Sequence, residues 1–416
     1  MNNRNILAID LKSFFASCEC IERGLNPFTT PLVVADPNRN NGAICLAVSP
    51  YLRRLGVKSR CRIYEIPRKI KYITAPPRMN LYIEYSKKVV DIYLNYVSID
   101  DLHIYSIDEV FMDVTAYLKM YNTTDYELGL KILKDIKDRT GLTATCGIGP
   151  NILLAKIAMD TEAKHNKSFI AKWTYDDVKN KLWKINNLND IWGIGKNMKL
   201  KLNSIGIKNI YDLAHYDKNV LKKKFGIIGE ELWMHANGID NTKISDYKLS
   251  PKEISYSHSQ VLFKDYYEDN IKIIIREMIE VILTRLRKNK KLTSLISFGI
   301  GYSKNIGGGF NHMQKIETPS DDFKIIYDTC ISIFDKYYDS SPIRKVSIAF
   351  GKLSDKDSLQ LNLFEAPEDT IKNENCNHVI DEIHDKYGKN SLIKASNLLK
   401  DSTAIERNKK IKGHNA

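Results

Sequence analysis

The sequence lacks any uninterrupted apolar run of the roughly 18 residues that a membrane-spanning helix requires. Its first residues, Met1-Asn2-Asn3-Arg4, lead straight into an apolar segment and lack the features of a secretory signal peptide. Among the 7 cysteines, no two have the C-x-x-C spacing of a zinc site, and an odd count is not typical of a disulfide framework. The sequence therefore predicts a soluble protein of the reducing cytoplasm, without a structural zinc site.

Negative charge is also in short supply, since 50 Asp and Glu face 63 Lys and Arg, which gives a formal net charge of +13. This excess suits a polyanionic partner, although basic composition alone also occurs in proteins that bind no polyanion. A chain of 416 residues is too long for one core, so we expect roughly two to four domains. The apolar fraction of 43% is ordinary for globular proteins and supplies enough material for these cores.

The first 170 residues alternate between strand and helix patterns. A short buried strand is predicted over 6–9, ending at Asp10, and is followed by a helix over 13–21. The remaining predicted elements are helices over 83–99 and 126–139, a strand hairpin near 105–114, a strand over 143–148 and a helix containing Lys156. This alternation, with a hairpin included, indicates an α+β sheet domain.

The rest of the chain changes character twice. Residues 172–240 predict helices joined by glycine-containing turns, and 241–252 is polar and typical of a linker. Residues 253–352 predict a helix over 268–288 and strands over 293–302 and 344–350. Beyond about residue 355 the sequence is charged and polar, which predicts a tethered tail with one helix near 376–399.

Three carboxylates lie at the ends or turns of predicted strands: Asp10, Asp108 and Glu109. Acidic residues at turns are usually only solvated. Carboxylates from separate segments can also hold two magnesium ions about 3.5–4 Å apart, the arrangement that phosphoryl transfer uses. Spacing alone does not separate these alternatives.

The segments Asp10–Glu19 (DLKSFFASCE) and Tyr105–Glu109 (YSIDE) resemble the two signature segments of Y-family DNA polymerases, which copy damaged DNA. The resemblance implies that Asp10 and Asp108 bridge two Mg²⁺ ions, with Mn²⁺ as a substitute, and that Glu109 holds the catalytic ion. The backbone carbonyl of Leu11 would complete the ligands. Many members have a second Asp where this chain has Lys12, a position outside the essential ligands.

The resemblance places the aromatic pair Phe14 and Phe15 at the nucleotide site. Phe15 falls on the steric-gate position, where a ring excludes a ribose 2′-hydroxyl, and a core position is the alternative for either ring. Lys156, within Leu154–Ala158, matches the lysine that contacts the β- and γ-phosphates, although a helix lysine alone is more often a surface residue.

The run from Ala47 to Lys58 resembles the fingers segment of the family. Arg53 is expected to contact the triphosphate, because an arginine donates two hydrogen bonds in one plane. Tyr51 is one residue out of register with the family tyrosine, and Arg54 is the alternative for the charge.

The segment Ile191–Lys196 resembles a helix-hairpin-helix, in which Gly193, Gly195 and Lys196 would bind a DNA phosphate without regard to sequence. A plain helical turn is the alternative. The basic runs 222–224 and 285–291 suit DNA backbone contacts or solvated faces equally well.

The pentapeptide Gln360–Phe364 (QLNLF) resembles the peptide by which bacterial polymerases bind the sliding clamp. Leu361, Leu363 and Phe364 would enter an apolar pocket, while Gln360 makes polar contacts.

The resemblance covers roughly residues 5–365 and is strongest over 5–165; the run 56–67 is similar to the UmuC-like subgroup of Gram-positive bacteria. It implies an α+β multidomain right-hand polymerase with these parts: palm 1–25 and 75–170, small fingers 26–74, helical thumb 171–240, linker 241–252, α/β little finger 253–355 and tail 356–416. The implied function is low-fidelity translesion synthesis in the DNA damage (SOS) response, in the cytoplasm at the nucleoid. The implied partners are primer–template DNA, dNTP and the sliding clamp; whether a UmuD-like or recombinase accessory is needed stays open.

Three other classes can use some of these features. A metal-dependent nuclease needs the carboxylates but neither a steric gate nor a clamp peptide. A nucleotidyl cyclase can place similar acids on a palm but has no use for a helix-hairpin-helix. A clamp-bound DNA scaffold would fit only if the acids bind no metal.

Overall fold

The structure is a computed structural model that describes residues 4–249, 253–356, 367–411 and 414–415. The chain forms two compact units, Met1–Leu249 with His414–Ala416, and Ser250–Gly413. The boundary between them lies inside the polar segment predicted as a linker.

The strands of the first unit are β1 (Ile6–Leu11), β2 (Leu32–Val34), β3 (Ala47–Val48), β4 (Ile73–Ala75), β5 (Leu102–Ile104), β6 (Glu109–Asp113), β7 (Ala144–Gly149) and β8 (Ile170–Lys172). Its helices are α1 (Phe14–Ile21), α2 (Pro50–Arg54), α3 (Met79–Tyr93), α4 (Tyr117–Met120), α5 (Asp125–Thr140), α6 (Ile152–Ala158), α7 (Asp176–Asn180), α8 (Lys196–Asn203), α9 (Ile210–His215), α10 (Lys218–Phe225) and α11 (Ile227–Ala236). A π-helix, Met159–Ala163, continues α6, and short 3₁₀ helices lie at Pro37–Gly42, Ile63–Glu65, Ile99–Asp101, Leu182–Lys184, Leu188–Asp190 and Ile244–Lys248.

A five-stranded sheet in the order β5-β6-β1-β7-β8 organises this unit, with β1 antiparallel to both of its neighbours. Because β1 is central and covered on both faces, its sequence is a nearly continuous apolar run and does not alternate between apolar and polar residues. Helix α5 packs against Cys146 and Ile148 of β7, so α6 lies on the opposite face, over Gly147. A Cβ atom on Gly147 would lie only 2.1 Å from the carbonyl oxygen of Ala155, and this close approach requires glycine.

The stretch predicted as fingers has a small sheet of its own, in the order β3-β2-β4, with α2 beside it. Helix α2 begins where sequence rules place a helix start: Ser49 caps it by accepting a hydrogen bond from the Leu52 amide, and Pro50 occupies its first turn. The buried side chains of this segment form a separate core of Val33, Ala35, Ala43, Cys45, Val48, Leu52, Val57, Cys61 and Ile66.

Residues 176–236 are helical, as the glycine-punctuated pattern predicts, and they share a core with the start of α6. The polar segment predicted as a linker contains the 3₁₀ helix Ile244–Lys248. Ile244 is 3% exposed and packs with Ile6 and Phe111 of the central sheet, so this part of the segment is anchored to the first unit.

The second unit contains the strands β9 (Tyr256–Tyr266), β10 (Lys291–Tyr302), β11 (Gly309–Ser320), β12 (Ile343–Asp355) and β13 (Lys410–Ile411) and the helices α12 (Glu268–Lys288), α13 (Phe323–Tyr337), α14 (Pro367–Tyr387) and α15 (Ala404–Asn408). A 3₁₀ helix lies at Ala395–Leu398, and β14 (His414–Asn415) ends the described chain. The four long strands form an antiparallel sheet in the order β11-β10-β12-β9, and α12 and α13 share its core. The sequence predicts α12, β10 and β12 but not β9 or β11; β11 has no buried side chain.

The described part of the predicted tail is folded onto this unit, so the expectation of a tethered tail is wrong there. Helix α14 ends at Tyr387, not near residue 399. Arg287 of α12 donates two hydrogen bonds to Asp381 of α14, at 2.6 and 3.0 Å, and Lys288 pairs with Asp385 at 3.2 Å. These members of the basic run 285–291 are bound by acids of the same chain.

Candidate active site

Asp10 and Glu109 lie directly opposite each other on β1 and β6 and therefore project from the same face of the sheet. The Leu11 amide donates to the Asp108 carbonyl at 2.9 Å, so the adjacent Asp10–Glu109 pair is a non-hydrogen-bonded pair, with Cα atoms about 4.5 Å apart. Asp108 itself is held in the turn before β6, where its carboxylate accepts a hydrogen bond from the Ser106 hydroxyl at 2.7 Å. The structure thus brings the three predicted carboxylates and Leu11 to one end of the sheet.

In this cluster Glu109 is buried, and Asp10 and Asp108 are half-buried. Burial raises the pKa of Asp10 to about 6, with Lys164 opposing the shift and the charges of Asp108 and Glu109 adding to it. Burial also raises the pKa of Glu109, against the lowering effect of Lys156. The acids therefore attract a counter-charge.

Two lysines supply counter-charge in the structure. Because α6 lies over the same face as Glu109, Lys156 reaches that carboxylate at 2.6 Å and Asp160 at 3.2 Å. Lys164, just after the π-helix, pairs with Asp160 at 2.8 Å and with Asp10 at 3.3 Å. Burial alone would lower the pKa of Lys164, but Asp10 and Asp160 outweigh it and leave this pKa raised. Sequence reasoning missed Lys164; the Asp160–Lys164 spacing of four residues was the only signal.

The donor chemistry of this site fits hard cations. Carboxylate and carbonyl oxygens are the ligands that Mg²⁺ prefers, and Asp10, Asp108, Glu109 and Leu11 provide them at one sheet end. Within the residues that the structure describes, no three acidic, histidine or cysteine side chains form a ready-made cage. Glu109 and Asp10 instead face the ammonium groups of Lys156 and Lys164.

Helix α1 begins beside the acids after a left-handed residue, Ser13 (φ 50°), and no side chain caps its first turn. The N–H groups and the positive dipole end at the start of a helix favour an anion. Phe14 is 3% exposed and lies in the core, the alternative for that residue. Phe15 is half-buried and stacks on Tyr82, with ring centroids 4.4 Å apart.

A buried glutamate fixes this arrangement. The Glu19 carboxylate, at the end of the signature segment, accepts hydrogen bonds from Arg78 at 2.8 and 2.9 Å and from the Tyr82 hydroxyl at 2.8 Å, and it pairs with Arg23. Glu19 thus anchors the Tyr82 hydroxyl to α1, and the Tyr82 ring in turn stacks on Phe15 of the same helix. Glu19 is a structural residue, and the sequence indicated only that it belongs to a signature.

Arg53, at the end of α2, is exposed and makes no ion pair among the described residues. Its charge acts on Lys12, whose pKa is lowered by burial first and then by Arg53 and Lys164. Arg54 donates to the backbone carbonyl of Phe28, and its guanidinium lies 5.9 Å from the Tyr51 ring. Of the two arginines, Arg53 is the one whose charge acts on Lys12, and its contact with the triphosphate stays a prediction.

The predicted helix-hairpin-helix is an exposed turn in front of α8. Gly193 has φ 90°, a conformation that favours glycine, and Gly195 caps the helix that begins at Lys196. Ile191 and Ile194 are buried and anchor the turn, which leaves the glycines and Lys196 exposed.

Two further predictions concern the clamp peptide and membrane-spanning helices. The segment Gln360–Phe364 lies outside the described residues, so the structure does not place the clamp peptide. In the described part of the chain, no helix is long and apolar enough to cross a membrane.

Comparison with known proteins agrees with this architecture. The impB/mucB/samB family matches residues 9–160, its C-terminal domain matches 253–363, and the DNA polymerase-iota thumb domain matches 189–240. The "Putative UV-damage repair protein UvrX" of Bacillus subtilis (strain 168) is 38% identical over 414 residues, covering 99% of this chain and 97% of that protein. "DNA polymerase IV 2" of the same organism is 33% identical over 420 residues, covering 100% and 99%.

Among solved structures, the "Y-family DNA polymerase chimera Dbh-Dpo4(243-245)-Dbh" matches with a TM-score of 0.64 at 20% identity, covering 84% of this chain and 98% of the chimera. This likeness shows the right-hand fold of palm, fingers, thumb and little finger. Taken with the two full-length relatives, it shows that the chain belongs to the Y-family of DNA-directed DNA polymerases, in its UmuC-like branch.

Proposed function

We propose that this chain extends a DNA primer across damaged template positions by two-metal phosphoryl transfer with low fidelity. The observation that carries the proposal is the pairing of Asp10 opposite Glu109, with Asp108 at the same sheet end and the uncapped start of α1 beside them. The relatives named for UV-damage repair and DNA polymerase IV support the same reading.

Asp10, Asp108, Glu109 and the Leu11 carbonyl would hold two Mg²⁺ ions, or Mn²⁺, which lower the pKa of the primer 3′-hydroxyl and offset charge on the leaving pyrophosphate. The lysines that now neutralise the acids are then released. Lys156 and Lys164 would turn from carboxylate to phosphate oxygens, so that the positive charge in the site meets the triphosphate as it binds. Arg53, which is exposed at the end of α2 and makes no ion pair among the described residues, would contact the same phosphates.

Phe15 would select the sugar. Its ring rests on Tyr82, which is itself fixed to the buried Glu19, so the gate has a rigid support. A support of this kind keeps the ring from yielding to a 2′-hydroxyl.

At a place separate from the acidic site, the turn at Gly193, Gly195 and Lys196 would bind the DNA backbone through its N–H groups and positive charge. The peptide Gln360–Phe364 would recruit the polymerase to the sliding clamp, a proposal supported by its sequence alone.

The test is primer extension on a primed template with Mg²⁺, four dNTPs and the clamp. Asp108→Asn keeps the size of the side chain and should reduce extension by more than roughly a hundredfold, since even residues that only support metal ligands are worth about 10- to 100-fold. Asp91→Asn, an exposed acid on α3, is the matched control and should extend normally. Binding to primer–template should be kept in both variants.

The alternatives give different results. Undiminished extension by Asp108→Asn would contradict the assigned site. Shortened primers in place of extended ones would identify a nuclease, and DNA binding without either reaction would identify a scaffold.

A further inference from the structure

Trp192 is an aromatic residue to which the proposed chemistry gives no role. It directly precedes 193–196, the turn proposed to bind the DNA backbone, which we call the thumb turn. Its half-buried ring packs against the core that contains Ile6 and Phe111 of the central sheet, and its centroid lies 5.9 Å from that of Phe111. Trp192 therefore joins the thumb turn to the sheet.

The part of the sheet that Trp192 contacts is the face of the acidic site. Phe111 and Glu109 lie two positions apart on β6, so their side chains project from the same face. Asp10 lies opposite Glu109 on β1 and shares this face. Trp192 thus packs on the face of the sheet from which two of the three acids project.

Trp192 also contacts Tyr105, the first residue of the signature segment that contains Asp108. The indole N–H donates to the Tyr105 hydroxyl at 3.3 Å, and the two rings meet edge to face with centroids 5.9 Å apart. The Tyr105 ring meets Phe111 in the same geometry at 5.5 Å. Because each of these three rings contacts the other two, the position of Tyr105 is fixed from the thumb turn as well as from the sheet.

The backbone of Tyr105 begins the turn that holds Asp108. The amides of Tyr105 and Ser106 both donate to the Glu109 carbonyl at 3.0 Å, which closes this turn. The Ser106 hydroxyl then donates to the Asp108 carboxylate at 2.7 Å. A displacement of Tyr105 would therefore move Ser106 and, through this hydrogen bond, the Asp108 carboxylate.

We propose that Trp192 is a positioning residue for the polymerase reaction, which holds Asp108 in place through Tyr105. This inference rests on the proposed function, in which Asp108 binds metal ions and the thumb turn binds DNA. The indole directly precedes the thumb turn, and one hydrogen bond joins it to the residue that begins the Asp108 turn. It therefore fixes the metal site relative to the duplex, the alignment on which phosphoryl transfer depends.

The experiment compares single-turnover insertion of one dNTP, together with Mn²⁺ binding, in five proteins. Besides the wild type, these are Trp192→Phe, Tyr105→Phe, the double variant and Trp183→Phe. Both changes at the contact keep an aromatic ring and remove one partner of the hydrogen bond. Tyr105 is 45% exposed, so water replaces the lost partner and the variants are expected to fold.

Trp183→Phe is the matched control. Trp183 is a half-buried tryptophan of the same helical region, and its N–H also donates a hydrogen bond, to the Ala236 carbonyl at 3.0 Å. Its ring contacts residues of α9. The control therefore measures the loss of a thumb hydrogen bond that does not lead to Asp108.

Each single variant should lower the maximal insertion rate roughly two- to tenfold, the range expected for one hydrogen bond. The Kd of Mn²⁺, measured by titration calorimetry without DNA or dNTP, should rise by a similar factor because Asp108 is less well placed. The double variant should lose no more than either single variant, since both remove the same contact. The Kd for primer–template and the KM for dNTP should not change, and Trp183→Phe should match the wild type throughout.

Four results would overturn the inference. Unchanged insertion rate and Mn²⁺ affinity in both single variants would separate Trp192 from the metal site. Losses that add in the double variant would show that Trp192 and Tyr105 act independently. A weaker Kd for primer–template at an unchanged maximal rate would assign Trp192 to DNA binding, and equal losses in Trp183→Phe would reduce its role to thumb stability.

The proposed function can fail separately. Absence of templated extension by the wild type would overturn the polymerase proposal. The Mn²⁺ titration needs no DNA synthesis, so it would then decide by itself whether Trp192 holds Asp108.

Discussion

Replacing Glu19 by glutamine should destabilise the first unit and loosen the steric gate at the same time. The Glu19 side chain is 0% exposed, and its carboxylate accepts from both Arg78 and Tyr82 while pairing with Arg23. An amide cannot pair with two arginines, and its own N–H₂ group faces donors. The change therefore leaves buried or half-buried donors unsatisfied.

The size of the effect follows from burial. Breaking a fully buried ion pair costs about 3–5 kcal/mol. Arg78 and Arg23 are 41% and 33% exposed and regain water when Glu19 is lost, so a smaller loss of about 2–3 kcal/mol is expected. For a unit of this size such a loss lowers Tm by roughly 4–12 °C.

Calorimetric unfolding at neutral pH measures this effect, and Glu22→Gln is the matched control. Glu22 also accepts from a tyrosine of α3, Tyr85, at 2.8 Å, but it is exposed. Its replacement should cost less than about 1 kcal/mol. Ribonucleotide insertion should rise in Glu19→Gln and not in Glu22→Gln, because only Glu19 anchors the Tyr82 ring under Phe15.

The pH dependence gives a second check. Burial would raise the pKa of Glu19, but Arg78, Arg23 and Tyr82 outweigh it and leave the pKa lowered. Its contribution to stability is therefore complete above the ordinary carboxylate range and is lost only as pH falls through the lowered pKa. The difference between wild type and Glu19→Gln should shrink in acid. Equal Tm values for the two proteins at neutral pH would refute the reasoning.

Two further predictions concern the site itself. Phe15→Ala should raise the ratio of ribonucleotide to deoxyribonucleotide kcat/KM at least roughly tenfold, measured by single-nucleotide insertion, and an unchanged ratio would mean that Phe15 is not the gate. The pKa of Asp10 is about 6, above its ordinary value of 3.8, so the ionisation of Asp10 destabilises the metal-free fold as the pH rises from about 4 to 6. Asp10 must also lose its proton to bind a cation. The affinity for Mn²⁺ should therefore decrease as the pH drops below about 6. In titration calorimetry, Mn²⁺ binding should release a proton at pH 5.5 but not at pH 8, and equal proton release at both pH values would contradict this pKa.

The elements that the sequence predicts well are those with a strong apolar period. Helix α12 begins and ends at the predicted residues, because its buried isoleucines recur at helical spacing over 21 residues. Strands β10 and β12 were found from their buried alternation, although both extend further than predicted. Strand β11 has no buried side chain and β9 has few, so neither shows the apolar pattern that identifies a strand.

The acids of the site could be named from the sequence because they lie in two signature segments. The lysines that pair with these acids in the structure could not be predicted from the sequence. The meeting of Lys156 with Glu109 depends on α6 lying over the face of β7 that carries Gly147, a three-dimensional fact. Lys164 follows a π-helix and lies 3.3 Å from Asp10, and this contact joins distant segments that no local pattern in the sequence connects.

The folded tail has a consequence for solubility. Strand β9 is an edge of its sheet, and an uncovered edge offers N–H and C=O groups to a strand of another molecule. Here Arg407 donates to the Val261 carbonyl at 2.8 Å, and the Tyr266 hydroxyl donates to the Asp401 carbonyl at 2.9 Å. The segment 401–407 thus covers part of that edge, and a protein shortened before residue 400 would expose the Val261 carbonyl to a strand of another molecule.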